Sequence, residues 1–225
     1  MLTNAPLPPI LRPAFTFADT LVSRRFQDLG MHPERGTVVL GGERYVLLRS
    51  ESLYLSWFDA LAQVLGEKAT VDLLYSAARE MGRSDAKAFI DTYRPVNDIA
   101  KLASGLVHMA HAGLASVEVL ADTVAKQDDT FFFHYTCPST FETEVLRDHG
   151  RRSIRCACFY SAGYAAGWCT EALNMHLHVR EMVCKARGDD RCEFIMAPRP
   201  KLDDHYRRLR GGAEPAVTGP QKLRG

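Results

Sequence analysis

The hydrophobic pattern changes period part-way along the chain, and that change limits the folds open to it. Before about residue 115 the apolar residues recur at helical spacing, and after it they alternate, as on a strand with one buried face. Leu53, Trp57, Leu61, Val64 and Leu65 share one helical face. Val71, Leu74, Ala78 and Met81 continue on a second helix, which Gly82 is expected to stop. Asn97 to Ala112 reads as a third helix, with Ile99, Leu102, Leu106 and Met109 on one side. Ahead of these, RYVLLR (Arg44 to Arg49) follows the Gly41-Gly42 turn as a short strand. In the second part Val117, Val119 and Ala121 alternate, Asp128-Asp129 turns the chain, and TFFFHYTC answers as the other strand of a hairpin. Thr140 to His149 and Cys158 to Leu173 read as helices. His176 to Lys185 and Arg191 to Met196 form a second hairpin about Gly188-Asp189, with His176 and His178 expected at the surface. Helices followed by strands, a helix and strands again make an α+β fold.

The two ends differ from this body. Met1 to Pro13 carries four prolines and reads as an extended arm. RPKLDDHYRRLR after Pro198 suits a short polar helix, and GGAEPAVTGPQKLRG suits a linker, either a tail or a junction to a further domain. The organisation expected is an arm and dimerisation segment over 1–40, a helical part over 41–115, a ligand-binding part over 116–198 and a tail over 199–225. Net charge is +1, which does not favour nucleic acid or an anionic membrane surface as a partner. No apolar run approaches the roughly 18 residues that a membrane span needs, and Met1 to Pro13 lacks the basic and apolar regions of a secretory signal. A cytoplasmic protein is expected.

All six cysteines lie after residue 136. Without an export signal such cysteines are more often metal ligands or buried thiols than disulfides. The strongest local pattern is Glu181-x-x-Cys184-x7-Cys192, in which a hairpin turn KARGDDR brings two thiols close across the strands. Glu181 can supply a third ligand if its strand bends locally, and Cys156 or Cys158 is available as the fourth. Spacing alone leaves three readings open: a metal site, two half-buried thiols, or a disulfide.

The stretch CFYSAGYAAGWCTEALNMHLHVREMVCKARGDDRCEFIMAP resembles the 4-vinyl reductase domain. The resemblance lies in a Gly-Tyr-x-x-Gly turn (Gly163 to Gly167), the Glu-x-x-Cys pair, and a second Cys ahead of an aromatic strand (Cys192-Glu193-Phe194). Upstream, RYVLLRSESLYLSWFDALAQVLGEKATVDLLYSAAREMGRSDA is similar to the segment that precedes this domain in the sensor region of the XylR/DmpR aromatic-responsive activators. The likeness spans about residues 40 to 197. It implies a structural zinc ion on Cys158, Glu181, Cys184 and Cys192, with Cys158 favoured over Cys156. It also implies a homodimer formed through the N-terminal segment, and a small apolar or aromatic ligand.

In the phenol-type sensors a His and a Trp hold the ligand hydroxyl; the matching positions here are Met109 and Cys137. That departure points to a ligand other than phenol, more apolar or larger. The pocket is expected to be lined by His108, Met109, Phe132, His134, Tyr135, Cys137 and Tyr164. His108 and His111 could also share a helical face and hold a second metal. The chain contains no GxxxxGK[ST] loop, no GxGxxG loop after a strand and no Gly-x-Ser-x-Gly elbow, so neither an ATPase nor catalysis is expected. The signal would pass to a downstream domain or a partner protein. The same domain also occurs in proteins linked to bacteriochlorophyll 4-vinyl reduction, and its fold resembles transport-complex subunits that hold an acyl chain. A tetrapyrrole-handling protein and an acyl-chain carrier are the alternatives.

Overall fold

Gly163 and Gly167 sit one helical turn apart within Phe159–Leu173 (α6), and they decide how the protein packs. In the computed structural model, which describes residues 7–211, every residue of α6 except Glu171 is buried. Its small residues let it lie against the long helix Glu67–Tyr93 (α3) with backbone touching backbone. A methyl group at Gly163 would run into the Tyr75 carbonyl, one at Gly167 into the Arg79 carbonyl, and one at Gly82 into the Tyr164 carbonyl. Gly163 to Gly167 is therefore not a turn, and Gly82 does not stop its helix. Both expectations took a glycine needed for close approach to be one needed for chain reversal. A third approach comes from Asp98–His111 (α4), where Gly105 makes room for the Trp168 indole. Trp168 is fully buried and donates its Nε1–H to the Lys101 carbonyl at 3.0 Å.

Around this crossing the chain order is Arg12–Gln27 (α1), Gly30–His32 (β1), Thr37–Leu40 (β2), Glu43–Tyr45 (β3), a π-helical turn at Ser52–Ser56, then Trp57–Leu65 (α2), α3 and α4. There follow Ala115–Val119 (β4), Phe133–Thr140 (β5), Phe141–Asp148 (α5), α6, Leu177–Val183 (β6), Cys192–Pro198 (β7) and Arg199–Leu209 (α7). The first three strands form a small antiparallel sheet in the order β1-β2-β3, and the rest an antiparallel sheet in the order β4-β5-β7-β6. The mixed α+β architecture read from the sequence is present. Several boundaries follow from capping: Asn97 accepts a hydrogen bond from the Ala100 amide at the start of α4, and Thr140 accepts one from the Thr143 amide at the start of α5.

Other expectations differ from the structure. Pro9–Leu11 forms a 3-10 turn and Pro13 lies in the first turn of α1, where a missing N–H costs nothing, so that part of the arm is helical. Residues 1–6 of the arm, and 212–225 of the linker, lie outside the described residues. The strand predicted over Arg44 to Arg49 ends at Tyr45, because β3 pairs with β2 only through Glu43 to Tyr45; Val46, Leu47 and Leu48 are exposed. The helix α1, β1 and β2 had no counterpart in the sequence reading.

Strand alternation divides the larger sheet's two faces. Phe133, Tyr135, Cys137, Phe194 and Met196 point into the main core with α6, while Phe132, Met182, Ile195 and Ala197 form a second layer under Leu202 and Tyr206 of α7. Among the described residues no helix is long and apolar enough to cross a membrane. Replacing Gly167 with Ala forces α6 off α3, and is expected to cost about 2 kcal/mol or more, read as a lower urea midpoint at unchanged m-value.

Candidate metal centre and ligand cavity

The second hairpin carries a β-bulge. Glu181 pairs with Phe194 and Val183 with Glu193, so β6 has one residue more than β7 between these pairs. On a regular strand residues 181 and 184 would point to opposite faces; one extra residue returns Cys184 to the face of Glu181. This is the local bend that a third ligand from Glu181 required. Beyond the bulge a 3-10 turn, Lys185–Arg187, and Gly188 in the left-handed region (φ 102°) bring the chain back to Cys192. The Asp189 carboxylate accepts the Cys184 amide at 2.7 Å and holds the turn closed. Asp189 was not singled out from the sequence, although an acid in the KARGDDR turn was its signal.

The fourth residue arrives from the loop that starts α6. Cys158 Sγ lies 3.9 Å from Cys184 Sγ and 3.7 Å from Cys192 Sγ, and its amide donates to Glu181 Oε2 at 2.9 Å. The donor atoms of Cys158, Glu181, Cys184 and Cys192 all lie within 4.8 Å of one another, in a group of buried residues that could hold a metal ion. Cys156, the other candidate for the fourth position, is not in this group and instead meets the Arg187 guanidinium at 3.8 Å. The cysteines are free thiols, which removes the disulfide reading.

The electrostatics of the group also suit a cation. Burial and the neighbouring Cys184 push the Glu181 carboxyl well above the usual carboxylate range, and burial pushes the Cys158 thiol up. Cys192 goes the other way, because Cys158 and Cys184 donate hydrogen bonds to its sulfur and the Lys185 amide adds another at 3.4 Å. Protons alone thus support one thiolate here, and a bound dication would support all three. Glu181 Oε1 is buried without a hydrogen-bond partner, an acceptor left for something else.

The seven residues expected to line a ligand pocket do not converge. Tyr135, Cys137 and Met109 lie in the main core, with Cys137 paired to Cys192 across the ladder and Tyr135 stacked on Phe194 at 5.0 Å. Phe132 and His134 alternate onto the opposite face, where Phe132 stacks on His205 at 4.3 Å. His108 and Tyr164 form a separate buried pair, Tyr164 Oη lying 3.1 Å from His108 Nδ1 and donating to Asp85 at 2.6 Å. His111 turns instead toward Asp19, at 3.8 Å.

The structure does contain a cavity, of about 930 Å³, between α2, α3, the loop 151–157, β6 and α7. Its apolar floor is Tyr54, Phe58, Tyr75, Phe159 and Val179, and none of the seven expected residues lines it. Its walls come from five separate segments, so no local motif could have announced it. His178, expected at the surface, lines it too, while Glu181 and Ala157 form the boundary it shares with the metal-type cluster.

Comparison with known proteins bears on this arrangement. Residues 141–198, which span α5, α6 and the bulged hairpin, match the family model of the 4-vinyl reductase domain. The chain carries a 4-vinyl reductase domain. The phenol regulator MopR of Acinetobacter guillouiae is 23% identical over 185 residues, covering 82% of this chain and 33% of that protein. The chain therefore spans about a third of the length of this curated relative. The crystal structure of the phenol-responsive sensory domain of the transcription activator PoxR, solved with phenol, aligns with a TM-score of 0.72 at 21% identity, covering 87% of this chain and 97% of that one. The matched domain and the helices before it thus share one fold with that sensory domain.

His134, on the outer face of the larger sheet, is bracketed by two carboxylates: Nδ1 sits 2.9 Å from Asp122 and Nε2 3.0 Å from Glu193. Burial disfavours its charge, but the hydrogen bonds to Glu193 and Asp122 outweigh that and raise its pKa. Both bonds need both nitrogens protonated. The contribution is therefore complete below the unfolded value of about 6.5 and is lost as pH rises through the raised folded value. His134→Gln is expected to cost about 2 kcal/mol at pH 6 and clearly less at pH 9 in paired urea melts.

Proposed function

We propose that this chain is a ligand-responsive sensor module that regulates transcription through a downstream domain or partner, with a structural zinc ion on Cys158, Glu181, Cys184 and Cys192. One observation carries the reading: the cavity is bounded by the loop that delivers Cys158 and by α7, the last element described. A ligand in that space touches Leu202, Asp203 and Arg207 of α7 directly. It shifts α7 to the extent that it binds one arrangement of that helix better than another. The helix is held by separable contacts, among them Arg180–Asp203 at 2.7 Å and the Arg180 guanidinium 4.0 Å from the Tyr206 ring. The similarity to a phenol regulator and a phenol-responsive sensory domain supports a small aromatic ligand and a role in transcription.

Zinc is the metal that best fits the donor set. Zinc–thiolate bonds of about 2.3 Å in a tetrahedron set sulfurs about 3.8 Å apart, beside the 3.7 and 3.9 Å separations here. Three cysteines and a glutamate leave no open position, so the ion would cross-link the hairpin to the start of α6 and would not activate water. A homodimer formed through residues 1–40 in a cytoplasmic protein completes the proposal. The exposed apolar side chains Met31, Val46 and Leu47 around the small sheet support such a contact.

Two measurements test this. Cys184→Ser is expected to remove the zinc otherwise found at one per chain. It should also lower the melting temperature by roughly 10 °C or more, since structural zinc contributes on the order of 10 kcal/mol and each kcal/mol moves a domain of this size about 2–4 °C. Unchanged zinc content would reject the ligand set. Hydrogen exchange with saturating 2-naphthol or 2-naphthoate should slow the amides of α7 about tenfold; exchange that is identical with and without bound compound would reject the sensor mechanism.

A further inference from the structure

The cavity is not a neutral aromatic slot. Seven Lys and Arg side chains line it against four Asp and Glu, in a chain whose total net charge is only +1. The acids are largely engaged: Asp203 with Arg180 at 2.7 Å, Asp72 with Lys68 at 3.7 Å, and Glu181 within the metal-type cluster. Arg152 and Arg155 have no carboxylate partner among the described residues, and both stand on the loop that walls the cavity. Arg180 adds a cation at depth, its side chain only 7% exposed. Positive charge set around a low-dielectric concavity focuses its field into that space.

The floor carries the complementary message. Tyr54, Phe58 and Phe159 form one aromatic cluster with centroids 5.5 to 6.3 Å apart. The two tyrosine hydroxyls there are already spent on backbone: Tyr54 donates to the Ala157 carbonyl at 2.9 Å, and Tyr75 accepts the Val179 amide at 3.2 Å. The floor therefore offers ring faces and aliphatic carbon, with little to hold the hydroxyl of a simple phenol. His178 on the wall is pushed down to about 4, first by burial and then by Arg79 and Arg199, so it presents a neutral ring at pH 7. At about 930 Å³ the space lies near the upper end of small-molecule sites, too large for one ring.

We propose that this cavity binds an amphipathic carboxylate, its bulky apolar body on the Tyr54–Phe58–Phe159 floor and its carboxylate at the arginine-rich wall formed by Arg152, Arg155 and Arg180. Arginine suits this role because its planar fork can pair with both carboxylate oxygens. The inference rests on the reading of this cavity as the ligand site, and adds the charge and size of what enters it.

Calorimetric titration of the full chain with two matched pairs tests it: 2-naphthoate against 2-naphthol, and octanoate against 1-octanol. At least one acid should bind ten times or more tighter than its alcohol, with affinity falling as salt rises. The pair that shows the difference tells an aryl from an acyl body. The Arg152→Gln/Arg155→Gln double variant, altered only at exposed side chains, should keep its melting temperature and lose tenfold or more in affinity for that acid. Alcohols binding as tightly as acids in both pairs, or a double variant with undiminished affinity for the acid, would overturn the proposal. The alcohol binding equally well and still protecting α7 from exchange would leave the sensor reading standing without it. An acid binding through the arginines with no change in α7 would keep the carboxylate site and remove the sensor reading.

Discussion

Everything in this protein hangs on two helices being allowed to touch. The backbones of α3 and α6 approach so closely that Gly82, Gly163 and Gly167 have no room for a methyl group. That contact fixes where α6 begins, and α6 begins at the residue after Cys158. It also fixes where Tyr75 of α3 stands against β6, since its hydroxyl bonds the Val179 backbone. The crossing thus sets one wall of the cavity and one corner of the thiol cluster. Packing of this kind gives little latitude, because interiors near crystal density transmit a displacement and do not absorb it.

The metal-type cluster and the cavity are neighbours sharing material. Ala157 lines the cavity, donates its amide toward Cys184 Sγ at 3.4 Å and accepts the Tyr54 hydroxyl, so one short loop answers to both. Glu142 supports the same region from α5: its buried carboxylate takes the Ser161 amide and hydroxyl, each at 2.7 Å, in the first turn of α6. An acceptor there satisfies donors that a helix start leaves open.

How much of this could be read from the chain depended on whether the signal was local. The helix over Asp98–His111, the helix over Phe159–Leu173 and the bulged hairpin were legible, because caps, periodicity and turn residues sit within a few positions of the elements they define. Cys158, Glu181, Cys184 and Cys192 were named through a motif and a resemblance, and the structure brings the four together. Gly82 and Gly163 to Gly167 were misread because a glycine looks the same in sequence whether it ends a helix or admits a neighbour. The helix α1 was missed because prolines open it and its buried stripe of Phe15, Ala18 and Val22 includes a fully buried Arg25. The cavity was illegible for a different reason. It is a gap between elements far apart in sequence, and strand alternation separates the aromatic residues that adjacency in TFFFHYTC had grouped.

The bulge in β6 has an evolutionary corollary. The extra residue that turns Cys184 to the side of Glu181 leaves Met182 on the opposite face, beneath α7. Descendants of this chain could exchange Met182 for another apolar residue and lose little. Deleting it, or inserting one more, would re-phase the hairpin and dissolve the cluster and the seat of α7 together. Drift at this point can proceed by substitution but not by change of length, so the count of residues between Glu181 and Cys192 should be inherited more faithfully than their identities.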